Sequence, residues 1–459
     1  MKPLSLDDTI VAISTPVGKS GIGIVRLSGK KALAIADKIF VTANGSCPSK
    51  FATHTVHYGW IKDIDEVLLT VMRAPKTYTR EDIAEINCHS GIVVLRRILE
   101  QVLQHGGRLA SPGEFTKRAY LNGRIDLAQA EAVLDVINSQ TKTALSAALG
   151  QLRGQLSREV KILRKDLIEI LSQLEAAIDF SDQDIQAPGQ EERLLELIQG
   201  VTGELNRLLD SAEKGLILRQ GISCVICGRP NVGKSSLLNA LLKRDRAIVT
   251  PIPGTTRDIL EETIDLDGIP LKLVDTAGIT RAGNLAEKEA VKRTRKYLQE
   301  ADIVLFVLDA SSALKPADLA IARSIRGKST FIVLNKQDLP ARISVAGVQK
   351  VLPKRKVLSC SALRGLGLAN LEKELAEFIW QGKGTAGKEI LVTNLRHQQS
   401  LKLAAKSLNR AKRSGQTGKS PEIIAFDVQA ARDNLGEIVG EISSDDVLER
   451  VFAQFCIGK

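Results

Sequence analysis

The sequence is short of the features that would tie it to a membrane or to an oxidising compartment. Its six cysteines are scattered without the spacing of a disulfide framework, and a reducing cytosol suits them. Cys224 and Cys227 do form a Cys-x-x-Cys, but no second pair or histidine accompanies it, so strand-core residues explain it better than zinc or redox chemistry. No charged-then-apolar segment opens the chain and no apolar run reaches spanning length, so neither secretion nor a membrane span is expected. Repeats and low-complexity tracts are missing too. His54, His57, His89 and Cys47 lack the spacing of a tight ligand set and read as ordinary polar positions. What is in surplus is positive charge: 64 Lys and Arg against 53 Asp and Glu, a net charge of +11 and a pI near 9.3. That balance suits a polyanionic partner such as nucleic acid. At 459 residues the chain exceeds a single core, and about three domains are expected.

The chain is organised around Gly228-Arg-Pro-Asn-Val-Gly-Lys-Ser235, which matches G-x-x-x-x-G-K-[ST]. The apolar run 222–227 leads in and Ser236-Leu-Leu-Asn-Ala-Leu-Leu242 leads out at helical spacing, which predicts strand, loop and helix. In that geometry backbone N–H groups and a helix N-terminus face an anion, Lys234 supplies a point charge, and the Ser235 hydroxyl reaches Mg²⁺. Asn231, Val232, Gly233 and Ser236 complete the phosphate site. Asp275-Thr-Ala-Gly278 ends an apolar run, where Asp275 can hold the Mg²⁺ shell and Gly278 can sense a γ-phosphate. Asn335-Lys336-Gln-Asp338 follows another buried run; the Asp338 carboxylate can accept both donors of the guanine edge, which selects GTP. Ser361-Ala362-Leu363 falls where such proteins back the base. The expected GTPase domain is α/β, a mostly parallel sheet with flanking helices over 216–380.

Residues 1–120 read as mixed α/β, with strands at 8–13 and 23–27 around the loop 16–21. That loop contains Gly-Lys-Ser, but Ile13 stands where a phosphate loop needs its first glycine. Arg26 lies inside an apolar strand, where a buried stem calls for a carboxylate partner; Glu85 sits on a strand of its own. From 121 to 215 the chain is helical, with one long apolar run through Leu152, Leu156, Val160, Leu163, Leu167 and Leu171, and a break at 182–189. Residues 381–387 read as a flexible joint, after which 381–459 is helical again. Two helical blocks flanking a self-contained domain predict an insertion into one helical domain. In the second block Lys402, Lys406, Arg410 and Arg413 form a cationic stripe, either a solvated face or a phosphate-binding one. Residues 443–455 read as a capped helix with acids in its first turn, followed by Cys456-Ile-Gly-Lys459.

The terminal Cys456-Ile-Gly-Lys459, Gly254-Thr-Thr-Arg-Asp258, the opening Asp8-Thr-Ile-Val-Ala and Leu127-Ala-Gln-Ala-Glu-Ala132 together resemble the MnmE (TrmE) family of tRNA-modification GTPases, over essentially the whole chain. The resemblance implies an N-terminal α+β domain that binds folate and dimerises, a GTPase domain inserted in a helical domain, and a cytoplasmic homodimer. It also implies an FAD-protein partner, MnmG, in a heterotetramer that places a carboxymethylaminomethyl-type group on the wobble uridine of certain tRNAs. The one-carbon donor would be 5-formyl- or 5,10-methylene-tetrahydrofolate, contacted by Arg26, Glu85, Arg124 and Lys459, with Cys456 in the modification chemistry. The family often has lysine where Arg124 stands, so the charge is kept and the hydrogen-bond geometry changes.

A Ras-like enzyme has a glutamine just after its Asp-x-x-Gly, and this chain has Ile279. The resemblance instead implies K⁺ held by Asn231, Thr250, Ile252 and Thr255, Mg²⁺ held by Ser235 and Thr256, GTP contacts that include Thr250, Thr255 and Thr256, and Glu287 positioning the attacking water. A ribosome-assembly GTPase and a non-catalytic GTP-dependent switch are the competing readings. The first usually carries an RNA-binding module or a second GTPase domain; multiple-turnover hydrolysis in K⁺ argues against the second.

Overall fold

A computed structural model describes residues 7–179, 190–245, 261–275, 296–380, 390–442 and 444–459. Its strands are β1 (Ile10–Ile13), β2 (Gly23–Ser28), β3 (Phe40–Val41), β4 (Thr55–Ile61), β5 (Asp65–Met72), β6 (Ile83–Cys88), β7 (Arg108–Leu109), β8 (Ile222–Cys227), β9 (Glu261–Leu266), β10 (Ile269–Asp275), β11 (Ile303–Asp309), β12 (Ser329–Asn335) and β13 (Lys356–Ser359). Its helices are α1 (Ala32–Ile39), α2 (Ile92–Gln104), α3 (Glu114–Leu121), α4 (Leu127–Asn138), α5 (Lys142–Leu152), α6 (Gln155–Asp179), α7 (Gln190–Gln220), α8 (Lys234–Asp245), α9 (Pro316–Ser324), α10 (Val345–Val351), α11 (Leu368–Trp380), α12 (Leu395–Gln416), α13 (Pro421–Val439) and α14 (Asp445–Phe452). Contacts divide the chain into two compact units. One holds Met1–Leu134, Leu152–Ile168 and Arg432–Lys459, the other Asp135–Gln151 and Glu169–Ala431.

The first unit is built on a seven-stranded sheet of order β3-β4-β5-β6-β2-β1-β7. Alternation decides its faces: Val25, Leu27, Leu69, Val71, Ala84 and Ile86 turn to one side and are buried with α1 and α2. The opposite side carries Arg26 in register with Glu85. Near β1 that side is covered by Phe115 of α3. Further out on β4 and β5 it exposes Val56, Tyr58, Trp60 and Leu68. The Gly-Lys-Ser loop joins β1 to β2, an antiparallel pair, and so has no helix at its end to face a phosphate. The chain returns at its far end: Val451, Phe452 and Phe455 pack with Ala119, Ile125 and Leu127. Ser444 precedes α14 without a side-chain capping bond; the first turn is instead complemented by Asp445 and Asp446.

In the second unit the six-stranded sheet has order β13-β12-β11-β8-β10-β9, parallel except for the β9–β10 pair. β11 and β12 are buried on both faces, the pattern of a parallel sheet with helices on each side. Cys224, Ile226, Leu305 and Val333 serve one core, and Val225, Phe306, Ile332 and Leu334 the other. α7 runs on to Gln220 and delivers the chain into β8 through Gly221, whose φ of +73° favours glycine and whose added Cβ would lie 2.5 Å from Pro270 O. α12 lies so close to α7 that a Cβ on Gly415 would sit 2.7 Å from Leu195 Cδ2. The long apolar run expected through Leu152 and Leu156 is in fact two helices, because Gly154 takes φ +76° and ends the helical path between α5 and α6. The break expected at 182–189 and the joint at 381–387 lie outside the described residues.

Candidate functional site

The phosphate loop follows β8 and opens α8, as the motif requires. Its shape depends on close backbone approaches. A Cβ on Gly228 would lie 2.4 Å from Val307 O, and one on Gly233 would lie 2.2 Å from Asn335 Nδ2; both residues have positive φ. Asn231 is left-handed as well, at φ +64°. The Lys234 side chain curls back and donates to Gly228 O at 3.0 Å and Arg229 O at 2.8 Å, so its ammonium is held within the loop it serves. This cradle at a helix N-terminus suits a phosphate chain, and the exposed Ser235 at the start of α8 suits the hydroxyl role toward Mg²⁺.

The loop is bonded to the Asn335–Asp338 motif. Asn335 Nδ2 donates to Val232 O at 3.0 Å, while its Oδ1 accepts from Ala362 N at 2.9 Å, so one amide spans both loops. Lys336 Nζ donates to Asn231 O at 2.8 Å and to Asp309 Oδ2 at 2.7 Å. Burial pushes the Asp309 carboxyl up, but Lys336 and Ser311 outweigh it and hold it below its usual range. The Ser361 hydroxyl donates to Asp338 Oδ1 and is the main reason why the Asp338 carboxyl is held low. Asp338 is therefore a fixed acceptor beside Asn335, Lys336, Ser361 and Ala362.

Burial pushes the Cys224, Cys227 and Cys360 thiols up, Cys227 and Cys360 to about 12, which suits core residues rather than thiolates. One clamp has no motif to mark it. Arg229 Nε donates to Asp318 Oδ1 at 2.7 Å and Nη2 to Ser312 Oγ at 3.3 Å, tying the loop to the buried start of α9.

A second cluster forms in the first unit around the chain's last residues. Arg26 Nε donates to Glu85 Oε1 at 2.6 Å, and Arg26 Nη1 donates to Gly458 O at 3.2 Å. Ser14 Oγ donates to the same carbonyl at 3.2 Å. Gly458 has φ +98°, and a Cβ there would meet Ile13 O at 2.7 Å, so the tail fits only with glycine. Arg124 stacks over the Tyr78 ring at 4.8 Å and Arg26 stands 5.8 Å from the Phe115 centroid. The Lys459 ammonium is pulled below its usual value, first by burial and then by Arg26, with Glu85 and Cys456 opposing. Arg26, Glu85 and Lys459 thus meet in one cluster, with Arg124 alongside through Tyr78, whose phenol feels both arginines. Three cations, a carboxylate and aromatic rings suit an anionic ligand with a flat polar ring. Cys456 is exposed at its edge, and its carbonyl accepts from Gly113 N at 3.4 Å.

The chain matches the family model "GTP-binding protein TrmE N-terminus" over residues 9–124 and "MnmE helical domain" over 127–456. It is 43% identical over 460 residues to the tRNA modification GTPase MnmE of Alkaliphilus oremlandii, covering 99% of this chain and 100% of that one. It is 45% identical over 458 residues to that of Enterococcus faecalis, covering 98% of each. The chain belongs to the MnmE (TrmE) family. Among solved structures it is similar to the G domain of the T. maritima FeoB iron transporter, at 25% identity over 34% of this chain and 98% of that one, with a TM-score of 0.27. Of the residues that the MnmE resemblance singles out, Thr250, Ile252, Thr255, Thr256, Gly278 and Glu287 lie outside the described residues. The backbone of Asp275 ends β10, paired in parallel with Ile226. The cationic stripe on α12 is smaller than its spacing suggested, because Arg410 Nε donates to Asp427 Oδ1 at 2.8 Å and is already paired. Among the described residues no helix is long and apolar enough to cross a membrane.

Proposed function

We propose that this chain hydrolyses GTP in the modification of the tRNA wobble uridine. The observation that carries the reading is the Asn335 amide spanning the phosphate loop and the Ala362 loop, found in a chain that aligns end to end with curated tRNA modification GTPases. Asn231 to Ser236 bind the phosphates and Asp338, backed by Ser361, reads guanine. Ser235 and Thr256 hold Mg²⁺, with Asp275 and Gly278 at the γ-phosphate. Asn231, Thr250, Ile252 and Thr255 hold K⁺ in place of an arginine finger, and Glu287 positions the attacking water. Asn231 is exposed and its carbonyl is bonded by Lys336, which supports the first of these roles.

A tetrahydrofolate one-carbon donor binds at Arg26, Glu85, Arg124 and Lys459, and Cys456 acts beside it. What supports this is the meeting of those cations and Glu85 around a tail pinned by its Gly458 carbonyl. The protein works as a cytoplasmic homodimer with an FAD-dependent MnmG-like partner in a heterotetramer. The exposed Val56, Tyr58, Trp60 and Leu68, on the sheet face that also carries Arg26 and Glu85, suit a second copy of this chain. The test compares wobble nucleosides of tRNA from cells lacking this protein, complemented with wild type or with Cys456→Ser. Wild type is expected to restore the modified uridine and Cys456→Ser to leave it missing while hydrolysing GTP normally. No difference between the cells with and without the protein would end the reading.

A further inference from the structure

The parallel strands of the second unit have two ends. Their carboxyl ends carry the phosphate loop, Asp309 and Asn335 to Asp338; β12 and β13 begin at the other end with Ser329 and Lys356. Over seven residues of β12 the two ends lie about 20 Å apart. Between Asp318 and Glu372 the sequence has one acid, Asp338, against ten Lys and Arg. Asp338, Lys336, Arg342 and Arg364 belong to the nucleotide end. The remaining seven cations crowd the other.

Three of the seven fasten the fold. Lys328 Nζ donates to Ala301 O at 3.2 Å, Arg355 donates to Lys328 O at 3.3 Å and Ile325 O at 3.4 Å, and Lys356 pairs with Glu374. Arg323, Arg326, Lys350 and Lys354 are exposed and have no acid partner among the described residues. Arg323 and Lys350 close α9 and α10, where a cation answers the helix dipole. Arg326 and Lys354 stand in turns, and no such local reason explains them.

Between these turns lies a cavity of about 680 Å³ lined by Lys328, Lys354, Arg355 and Lys356, with Phe378 at its side. Phe378 is held edge-on to Phe331, at 5.2 Å between centroids and 85° between planes, and is still 38% exposed. Glu374 and Glu377 also line the cavity, each with a lysine of its own: Lys356 and, at 3.7 Å, Lys373. Cations around an exposed ring match an RNA strand, with phosphates on the former and a base on the latter. An acidic protein segment would use the charges and leave the ring unexplained.

We propose that this face, opposite the nucleotide, is a docking surface for the phosphate backbone of the tRNA on which the protein acts. The inference rests on the tRNA-modification reading and adds where the RNA sits on the nucleotide-binding unit. The test uses the full chain carrying Arg326→Glu with Lys354→Glu, neither of which fastens the fold. Affinity for unmodified tRNA, followed by fluorescence anisotropy across a KCl series, is expected to fall about tenfold or more. The slope of log affinity against log salt is expected to shrink by roughly two, one per lost phosphate contact. GTP affinity and hydrolysis stay at wild-type values, and exchanging the two residues for each other's type (Arg326→Lys with Lys354→Arg) keeps the tRNA affinity. Unchanged tRNA affinity and salt slope overturn the inference, as does a wild-type protein that binds no tRNA. Loss of binding to the FAD-dependent partner with tRNA binding intact also overturns it, since the face would then dock protein. Failure of the underlying reading shows elsewhere, in wobble nucleosides that the wild-type protein does not restore.

Discussion

At Asp338 a single carboxylate is fixed as an acceptor by one hydroxyl. The bond from Ser361, and then its own backbone N–H, keeps it charged well below neutral pH. Asp338→Asn turns one of its acceptors into a donor that faces a guanine donor, so GTP binding is expected to weaken by about 2 kcal/mol or more. A fluorescent GTP analogue measures it, and unchanged affinity removes Asp338 from the base site. Gly233→Ala tests the loop itself: the added methyl would lie 2.2 Å from Asn335 Nδ2, at a φ of +97° that disfavours any side chain. GTP affinity is expected to be lost while the far-ultraviolet circular dichroism is kept; retained affinity would show that the loop has room to shift. These residues are legible in sequence because a motif fixes their spacing along a few bonds. Their partners are not: Lys336 reaches Asn231 O across 105 residues and Arg229 reaches Asp318 across 89. No local pattern marks Asp318 as different from any other acid in the first turn of a helix.

Elements follow the same division. The β8–loop–α8 unit and the β1–β2 hairpin are predictable because period and punctuation agree there, but one glycine at positive φ was enough to split a long helical run at Gly154. The least legible element-level feature is the knot that fixes α3 to the sheet. Arg118 is fully buried, donating to Glu81 Oε1 at 3.1 Å, Glu114 Oε1 at 3.1 Å and Asp8 O at 3.0 Å, while Arg108 Nε donates to Asp8 Oδ2 at 2.6 Å. Nothing in the run Glu114 to Leu121 announces that its arginine points inward. Arg118→Leu strands carboxylates in the interior and is expected to cost about 3–5 kcal/mol, read as a lower first transition in thermal unfolding; an unchanged transition would mean that Arg108 alone suffices. The knot also sets a pH limit. Asp8 and Glu114 are both pushed up by burial and pulled lower overall by the arginines. Carboxylates with lowered folded-state values give their full stabilisation above the ordinary range, roughly pH 4, and lose it as the pH falls towards the lowered values. The first transition is therefore expected to be flat from neutrality to about pH 5 and to drop steeply below pH 4, and in Arg118→Leu that acid-side drop is expected to be shallower.

For the molecule as a whole, the charge surplus that pointed to nucleic acid says nothing of place; the fold concentrates part of it at the strand ends remote from the phosphate loop. The proposed use of K⁺ is likewise a property read on the whole enzyme. With Asn231 held in its left-handed conformation by Lys336, its exposed amide can join a K⁺ site, so hydrolysis is expected to run much faster in KCl than in NaCl at equal ionic strength, where screening is matched. Asn231→Ala is expected to flatten that ratio, and equal rates for wild type in both salts would exclude the ion. The pinned carbonyl of Gly458 has a consequence for time. Arg26 and Glu85 are 59 residues apart, whereas Ser14 and Gly458 are separated by 444. At about 5–20 residues per second on the ribosome, the Arg26–Glu85 pair can form within seconds of its strands emerging. The tail that shares Arg26 arrives roughly 20–75 s later. A nascent chain therefore carries a half-built pocket, sheet in place and one wall missing, through most of its own synthesis.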